Sequence, residues 1–188
     1  AGSAQQVAPP TWNRAARTKA GKLAERWWKA RPPTQFGAWD VPVRDALEAE
    51  ARALGVLPEG ECDDIVAMLW ESLRQHGPKK SSEKGKLTIE TPYGEAWAYV
   101  VGKGKGAPLV LGLHGGGQDA GDASEAKDNW ILKEGLGIYP QGIRLISDTW
   151  NTVQGERFLL TLIEIAKVQH EVDHDRIYCM GFSMGGSG

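Results

Sequence analysis

The sequence predicts an α/β protein in which a helical extension precedes a sheet whose later strands run parallel. Three observations lead there. Up to about residue 80, apolar residues recur at helical spacing. Beyond it the pattern changes to short continuous apolar runs, Pro108–Leu113, Gly142–Ser147 and Arg176–Met180, which suit strands covered on both faces. Stretches of helical rhythm separate the runs, and strand, helix, strand, helix, strand is how parallel strands are joined.

Taken in order, Trp12–Ala30 carries Leu23, Trp27 and Trp28 at helical spacing and is ended by Arg31-Pro32-Pro33. A second helix starts at Pro42, a residue suited to a first turn, and runs through Leu47 and Ala51 to Gly55. A third follows Pro58, with Ile65, Met68, Leu69 and Leu73 on one face and Gly77-Pro78 as its stop. Lys79–Lys86 is charged and small, as linkers are. Leu87–Glu90 and Glu95–Val101 flank Thr91-Pro92-Tyr93-Gly94 as the two arms of a β-hairpin. The three apolar runs follow, with Val153–His170 helical between the second and third. Two domains are expected: a helical extension over 1–80 and a sheet domain over 81–188.

Composition narrows the function. The 188 residues hold 22 Lys plus Arg against 24 Asp plus Glu, a formal charge of -2, so no global basic field invites nucleic acid or an anionic bilayer. No run of 18 apolar residues is present, so no membrane span is expected. Cys62 and Cys179 are too few for a disulfide scaffold, and Cys179, on an apolar run, is expected to be a buried small hydrophobe. The start lacks Met and an apolar signal core; it reads as an artificial lead or as the end left by a removed signal, and a secreted or periplasmic origin stays open. Eight Trp against three Phe suggests aromatic anchoring in the core and along a cleft.

Chemistry concentrates at two places. Gly181-Phe182-Ser183-Met184-Gly185 is a G-x-S-x-G pattern directly after an apolar strand, where a sharp turn presents a serine hydroxyl above the sheet. Leu113-His114-Gly115-Gly116-Gly117-Gln118 ends the earlier strand with an H-G-G-G loop, whose bare main chain can aim N–H groups at a developing oxyanion. The 69 residues from His114 to Ser183 leave room for one more strand and a helix on each side.

With LHGGGQ at 113–118, IYPQG at 138–142 and DHDRIYCMGFSMGG at 173–186, residues 86–188 resemble the N-terminal half of an α/β-hydrolase sheet. The likeness is to serine esterases of the phospholipase/carboxylesterase, polyhydroxybutyrate-depolymerase-like and dienelactone-hydrolase-like branch. It implies a carboxylic ester hydrolase working through an acyl-enzyme, with Ser183 as nucleophile and Gly116, Gly117 and Met184 as oxyanion donors. It implies no cofactor and no metal, and a small-molecule or polymeric ester as substrate. The family's order is Ser, then Asp or Glu, then His, yet five residues follow Ser183. The expectation is therefore an incomplete hydrolase domain, its triad acid and base on a missing C-terminal half present as a second chain or segment.

Other residues receive plainer readings. His114 is expected to brace its loop rather than act as a base. His170 and His174 stand four apart beside acids, but without the H-E-x-x-H order of a zinc site. Asp119, Asp122, Glu125 and Asp128 read as a solvated, helix-capping stretch. Asp148 precedes the nucleophile, against the usual place of a triad acid. Trp130 and Trp150 are candidate pocket linings, with core packing as the competing role. Two alternatives to hydrolysis remain: acyl transfer to an alcohol by the same serine, and a non-catalytic binding or assembly role for Trp12, Trp27, Trp28 and Trp39.

Overall fold

The computed structural model describes residues 13–32, 34–55, 66–68, 70–71, 74–75, 84–116, 122–130, 132 and 134–188. Most of the third helix and of the linker, together with Trp12, Cys62, Gly117 and Asp119, lies outside the described residues. The chain divides into two compact units, residues 1–32 with 38–77 and residues 33–37 with 78–188.

In the first unit, α1 (Arg14–Ala30) begins where Asn13 accepts the Ala16 N–H at 3.0 Å. Helix α2 (Val41–Ala53) begins where Asp40 accepts the Val43 N–H at 3.2 Å, with its proline in the first turn as expected. Each cap satisfies a donor the helix leaves open and contributes about 1 kcal/mol. Arg26 joins the helices through a two-pronged bond to Glu50 at 2.6 and 2.9 Å. The Trp27 and Trp39 rings meet at a tilt of 52° with centres 4.7 Å apart, and the Arg31 guanidinium lies 4.1 Å from the ring centre of buried Trp28.

The second unit holds a five-stranded sheet among the described residues, in the order β1 (Lys86–Thr91), β2 (Gly94–Gly102), β4 (Leu136–Pro140), β3 (Leu109–Leu113), β5 (Ile177–Gly181). The hairpin forms as read, β1 (Lys86–Thr91) pairing antiparallel with β2 (Gly94–Gly102). Strand β3 (Leu109–Leu113) lies between two parallel neighbours, β4 (Leu136–Pro140) on one side and β5 (Ile177–Gly181) on the other. Helix α3 (Ala123–Asn129) connects β3 to β4, and α4 (Val153–Gln169) connects β4 to β5. The one-turn helix α5 (Met184–Ser187) follows β5. Phe158, Leu162, Ile165 and Ala166 of α4 share a buried face and meet Leu109, Leu111, Leu136 and Ile138 in the main core. Phe36, from residues 33–37, packs on that same core.

The sequence reading is corrected in two places. The second parallel strand is Leu136–Pro140, not Gly142–Ser147. Residues 142–147 instead turn, the Ile146 N–H bonding Ile143 O at 2.8 Å while Leu145 stands 74% exposed. Strand β4 is masked in the sequence by its glycine and proline. Its glycine is the seat for a ring: a Cβ at Gly137 would lie 2.7 Å from the Tyr139 ring, and one at Gly112 on the neighbouring strand 2.6 Å from it. Tyr139 thus lies flat over two glycines, donates its hydroxyl to Trp130 O at 2.6 Å, and has its phenol pushed up by burial.

The second correction concerns Cys179, a free thiol that is exposed rather than buried. Among the described residues β5 pairs with β3 alone, so Tyr178 (55% exposed) and Met180 (39%) are open on one of its faces and Cys179 on the other. Parallel strands ordinarily bury both faces.

Candidate active site

The loops that matter leave the carboxyl ends of β3 and β5, which are adjacent and parallel. From β3 the chain crosses to β4 on one side, while β5 lies on the other, so these two ends flank the point where the sheet's winding reverses. Open α/β sheets bind ligands in the crevice at such a point.

Ser183 sits between β5 and α5 with φ 52° and ψ -118°, one of three non-glycine residues with positive φ among those described. A side chain there crowds its own backbone, and such conformations persist only where the surroundings impose them. The surroundings are visible. A Cβ on Gly181 would fall inside contact distance of Gly185 O and lie 2.8 Å from Gly186 N. One on Gly185 would collide with Leu113 O and lie 2.7 Å from His114 O. The helix therefore starts immediately against the ends of β3 and β5, and only glycines admit the reversal. The Phe182 N–H bonds Leu113 O at 3.3 Å and the Gly185 N–H bonds Phe182 O at 2.9 Å, closing the turn.

The glycine loop lies against this turn. The Cβ position of Gly115 is 3.5 Å from the Ser183 Cβ, and that of Gly116 is 3.6 Å from the Met184 Cβ. Among the described residues, neither the Gly116 N–H, the Met184 N–H nor the Ser183 hydroxyl has a hydrogen-bond partner. Sequence-predicted Ser183, Gly116 and Met184 are thus neighbours, whereas Gly117 lies outside the described residues.

His114 is 1% exposed and fully engaged. The Gly142 N–H donates to its Nε2 at 3.0 Å, so that nitrogen carries no proton, and Nδ1 donates to Gly115 O at 2.7 Å. A ring holding the neutral Nδ1–H tautomer between two backbone groups braces the loop and has no lone pair left for a serine proton. Trp150, 4% exposed, donates its indole N–H to His114 O at 3.1 Å and meets the imidazole edge-on at 5.2 Å. It is a core residue that fixes the loop from beneath. Trp130 is half-buried beside Gly112 and Tyr139. Both Gly142, within IYPQG, and Trp150, read as pocket lining or core, were singled out in the sequence, but their bracing of His114 was not, because a glycine N–H and an indole look there like turn and packing groups.

Of the remaining candidates, the two histidines lie at the other end of these strands from Ser183. His170 and His174 belong to the segment packed on the amino ends of β3 and β5, where Gly106 N–H bonds Glu171 O at 2.9 Å and Leu109 N–H bonds Arg176 O at 2.9 Å. No group of three or more His, Cys, Asp or Glu among the described residues is arranged to hold a metal. Asp122 caps α3 by accepting the Ser124 N–H at 2.8 Å, a bond that holds its carboxyl below the usual range. Asp148, left-handed at φ 53°, accepts from the Asn151 amide at 2.7 Å. Among the described residues no helix is long and apolar enough to cross a membrane.

No family model matches the chain. In an alignment of 87 positions that covers 43% of its length, the chain is 34% identical to the bifunctional acetylxylan esterase/xylanase XynS20E of Neocallimastix patriciarum, of which it spans 12%. The similarity suggests an esterase-like relation for an α/β chain whose sheet ends in a strand, a strained serine and a helix.

Proposed function

We propose that the chain carries the nucleophile and oxyanion donors of a serine-dependent carboxylic ester hydrolase of the α/β-hydrolase type. The observation that carries this reading is Ser183, held at positive φ between β5 and α5 with the Gly115–Gly116 backbone against it. Strand, turn and helix form the context a G-x-S-x-G nucleophile requires. The Ser183 oxygen attacks the ester carbonyl carbon, and the carbonyl oxygen gains the charge. The unpartnered N–H groups of Met184 and Gly116 are the donors for that charge, with Gly117 as a third candidate. The C–O bond then breaks, the alcohol departs with a proton, and water cleaves the acyl-serine to acid and free enzyme.

His114 does not take the serine proton, since both its ring nitrogens are occupied. The reading therefore needs a base and an orienting acid from polypeptide packed near β5, where Tyr178, Met180 and Phe182 (70% exposed) offer an apolar seat. The esterase relative favours an acyl group carried on a polysaccharide as the substrate class. Incubation with 4-nitrophenyl acetate, with imidazole added as an external base, followed by peptide mass spectrometry tests the reading. An acetyl group on Ser183, absent from Ser183→Ala, is expected; acetylation confined to other residues overturns it.

A further inference from the structure

A groove of about 570 Å³ opens at the carboxyl end of β4, lined by Glu95, Trp97, Gln141, Arg144 and Leu145 together with Ala96 and Gly142. It lies on the same edge of the sheet as Ser183. Strand β2 starts where β4 ends, the Gln141 N–H bonding Trp97 O at 2.9 Å. Its wall is tied to the candidate active site through buried groups: Gly142 in the groove wall donates to His114, whose neighbour Gly115 lies against Ser183. Strand spacing puts the groove about 10–15 Å from the serine's strand, two to three strands along the sheet.

Its chemistry is specific. Trp97 is half-buried and already fixed, with Lys86 Nζ 4.7 Å from its ring centre and Tyr99 edge-on at 5.0 Å. A ring immobilised before the ligand arrives loses little entropy on binding. Glu95 and Arg144 are exposed, and among the described residues neither side chain has a hydrogen-bond or ion-pair partner. Glu95 and Arg144 offset each other in the lining, and beside it Lys86 at the Trp97 ring is matched by Glu90 paired across from Glu95, so the groove favours neither anions nor cations. An acyl chain lying there would strip water from both charged groups without replacing their hydrogen bonds. A neutral sugar satisfies all three: its C–H face covers the indole, its hydroxyls donate to the carboxylate, and its oxygens accept from the guanidinium.

We infer that this groove binds a neutral sugar unit of the molecule whose ester is presented to Ser183. The inference rests on the ester-hydrolase reading for the position of the ester, but the sugar site can be measured without it. The probe is xylopentaose, which carries no ester, titrated into the full chain and followed by tryptophan fluorescence and calorimetry. Saturable binding is expected. It weakens at least about tenfold in Trp97→Ala and about three- to tenfold in each of Glu95→Gln and Arg144→Gln. The last two change exposed side chains without partners, so loss of binding there is not loss of fold. The inference is overturned by no saturation up to about 10 mM, which is binding weaker than roughly 3 kcal/mol. Affinity unchanged in all three variants, or a preference for trigalacturonate or an acidic peptide, overturns it equally. Acetylation of Ser183 by 4-nitrophenyl acetate involves no sugar and separates the claims. Adduct without sugar binding removes the groove alone; sugar binding without adduct removes the nucleophile and leaves the groove.

Discussion

Replacing Ser183 by glycine should make the protein more stable while removing the nucleophile. At φ 52° and ψ -118° a residue with a Cβ occupies a region that costs about 1–3 kcal/mol, and glycine escapes most of that cost. Glycine also frees the unfolded chain, which takes back about 0.4–1 kcal/mol. The hydroxyl itself bonds nothing among the described residues, so its removal is close to neutral. The net expectation is a gain of about 0.5–2 kcal/mol, or a rise in Tm of about 1–8 °C for a chain of this size. Ser183→Ala keeps the Cβ and the strain, and should stay within about 0.5 kcal/mol of the parent. Thermal unfolding followed by circular dichroism reads both variants. If Ser183→Gly proves no more stable than Ser183→Ala, the serine is not held under strain and the geometric argument for its role fails.

Three further outcomes follow from the same contacts. Gly185→Ala places a methyl group against Leu113 O and His114 O, so β3, β5 and α5 must separate; a loss of about 1–3 kcal/mol, read as a lower Tm, is expected. His114→Ala strands the buried Gly142 N–H and Gly115 C=O, and at about 1–3 kcal/mol each the denaturation midpoint should fall by far more than for an exposed histidine. The Arg176 guanidinium 2.7 Å from Asp173 holds that carboxyl below its ordinary range. The stabilisation is present above the unfolded value near pH 4 and is lost as pH falls through the lower folded value, so Asp173→Asn should flatten the Tm–pH curve below about pH 4.

Elements whose residues follow one simple period were legible in the sequence. Helix α4 announces itself by Phe158, Leu162, Ile165 and Ala166, and the hairpin by Trp97 and Tyr99 around the Pro-Tyr-Gly turn. Strand β4 was not legible, because the ring of Tyr139 is seated on Gly112 of the neighbouring strand as well as on its own Gly137, and local pattern cannot report that cross-strand seat. The same holds for the site. Ser183 and the glycine loop are written as contiguous motifs, but the brace is assembled from His114, Gly142 and Trp150, and the groove from Glu95, Trp97 and Arg144, residues far apart in the chain. Cys179 was misread because an apolar strand implies cover on both faces, whereas among the described residues β5 is open on both, at Tyr178 and Met180 on one face and at Cys179 on the other.

The most direct measurement is covalent labelling with a fluorophosphonate, mapped serine by serine. The free N–H groups of Met184 and Gly116 stabilise the charge that develops on the phosphonyl oxygen when Ser183 attacks the phosphorus. Ser183 should therefore be phosphonylated well ahead of Ser187, four residues on, with the preference abolished in urea and in Ser183→Ala. Equal labelling of both serines, or none at Ser183 in the folded protein, would contradict the account.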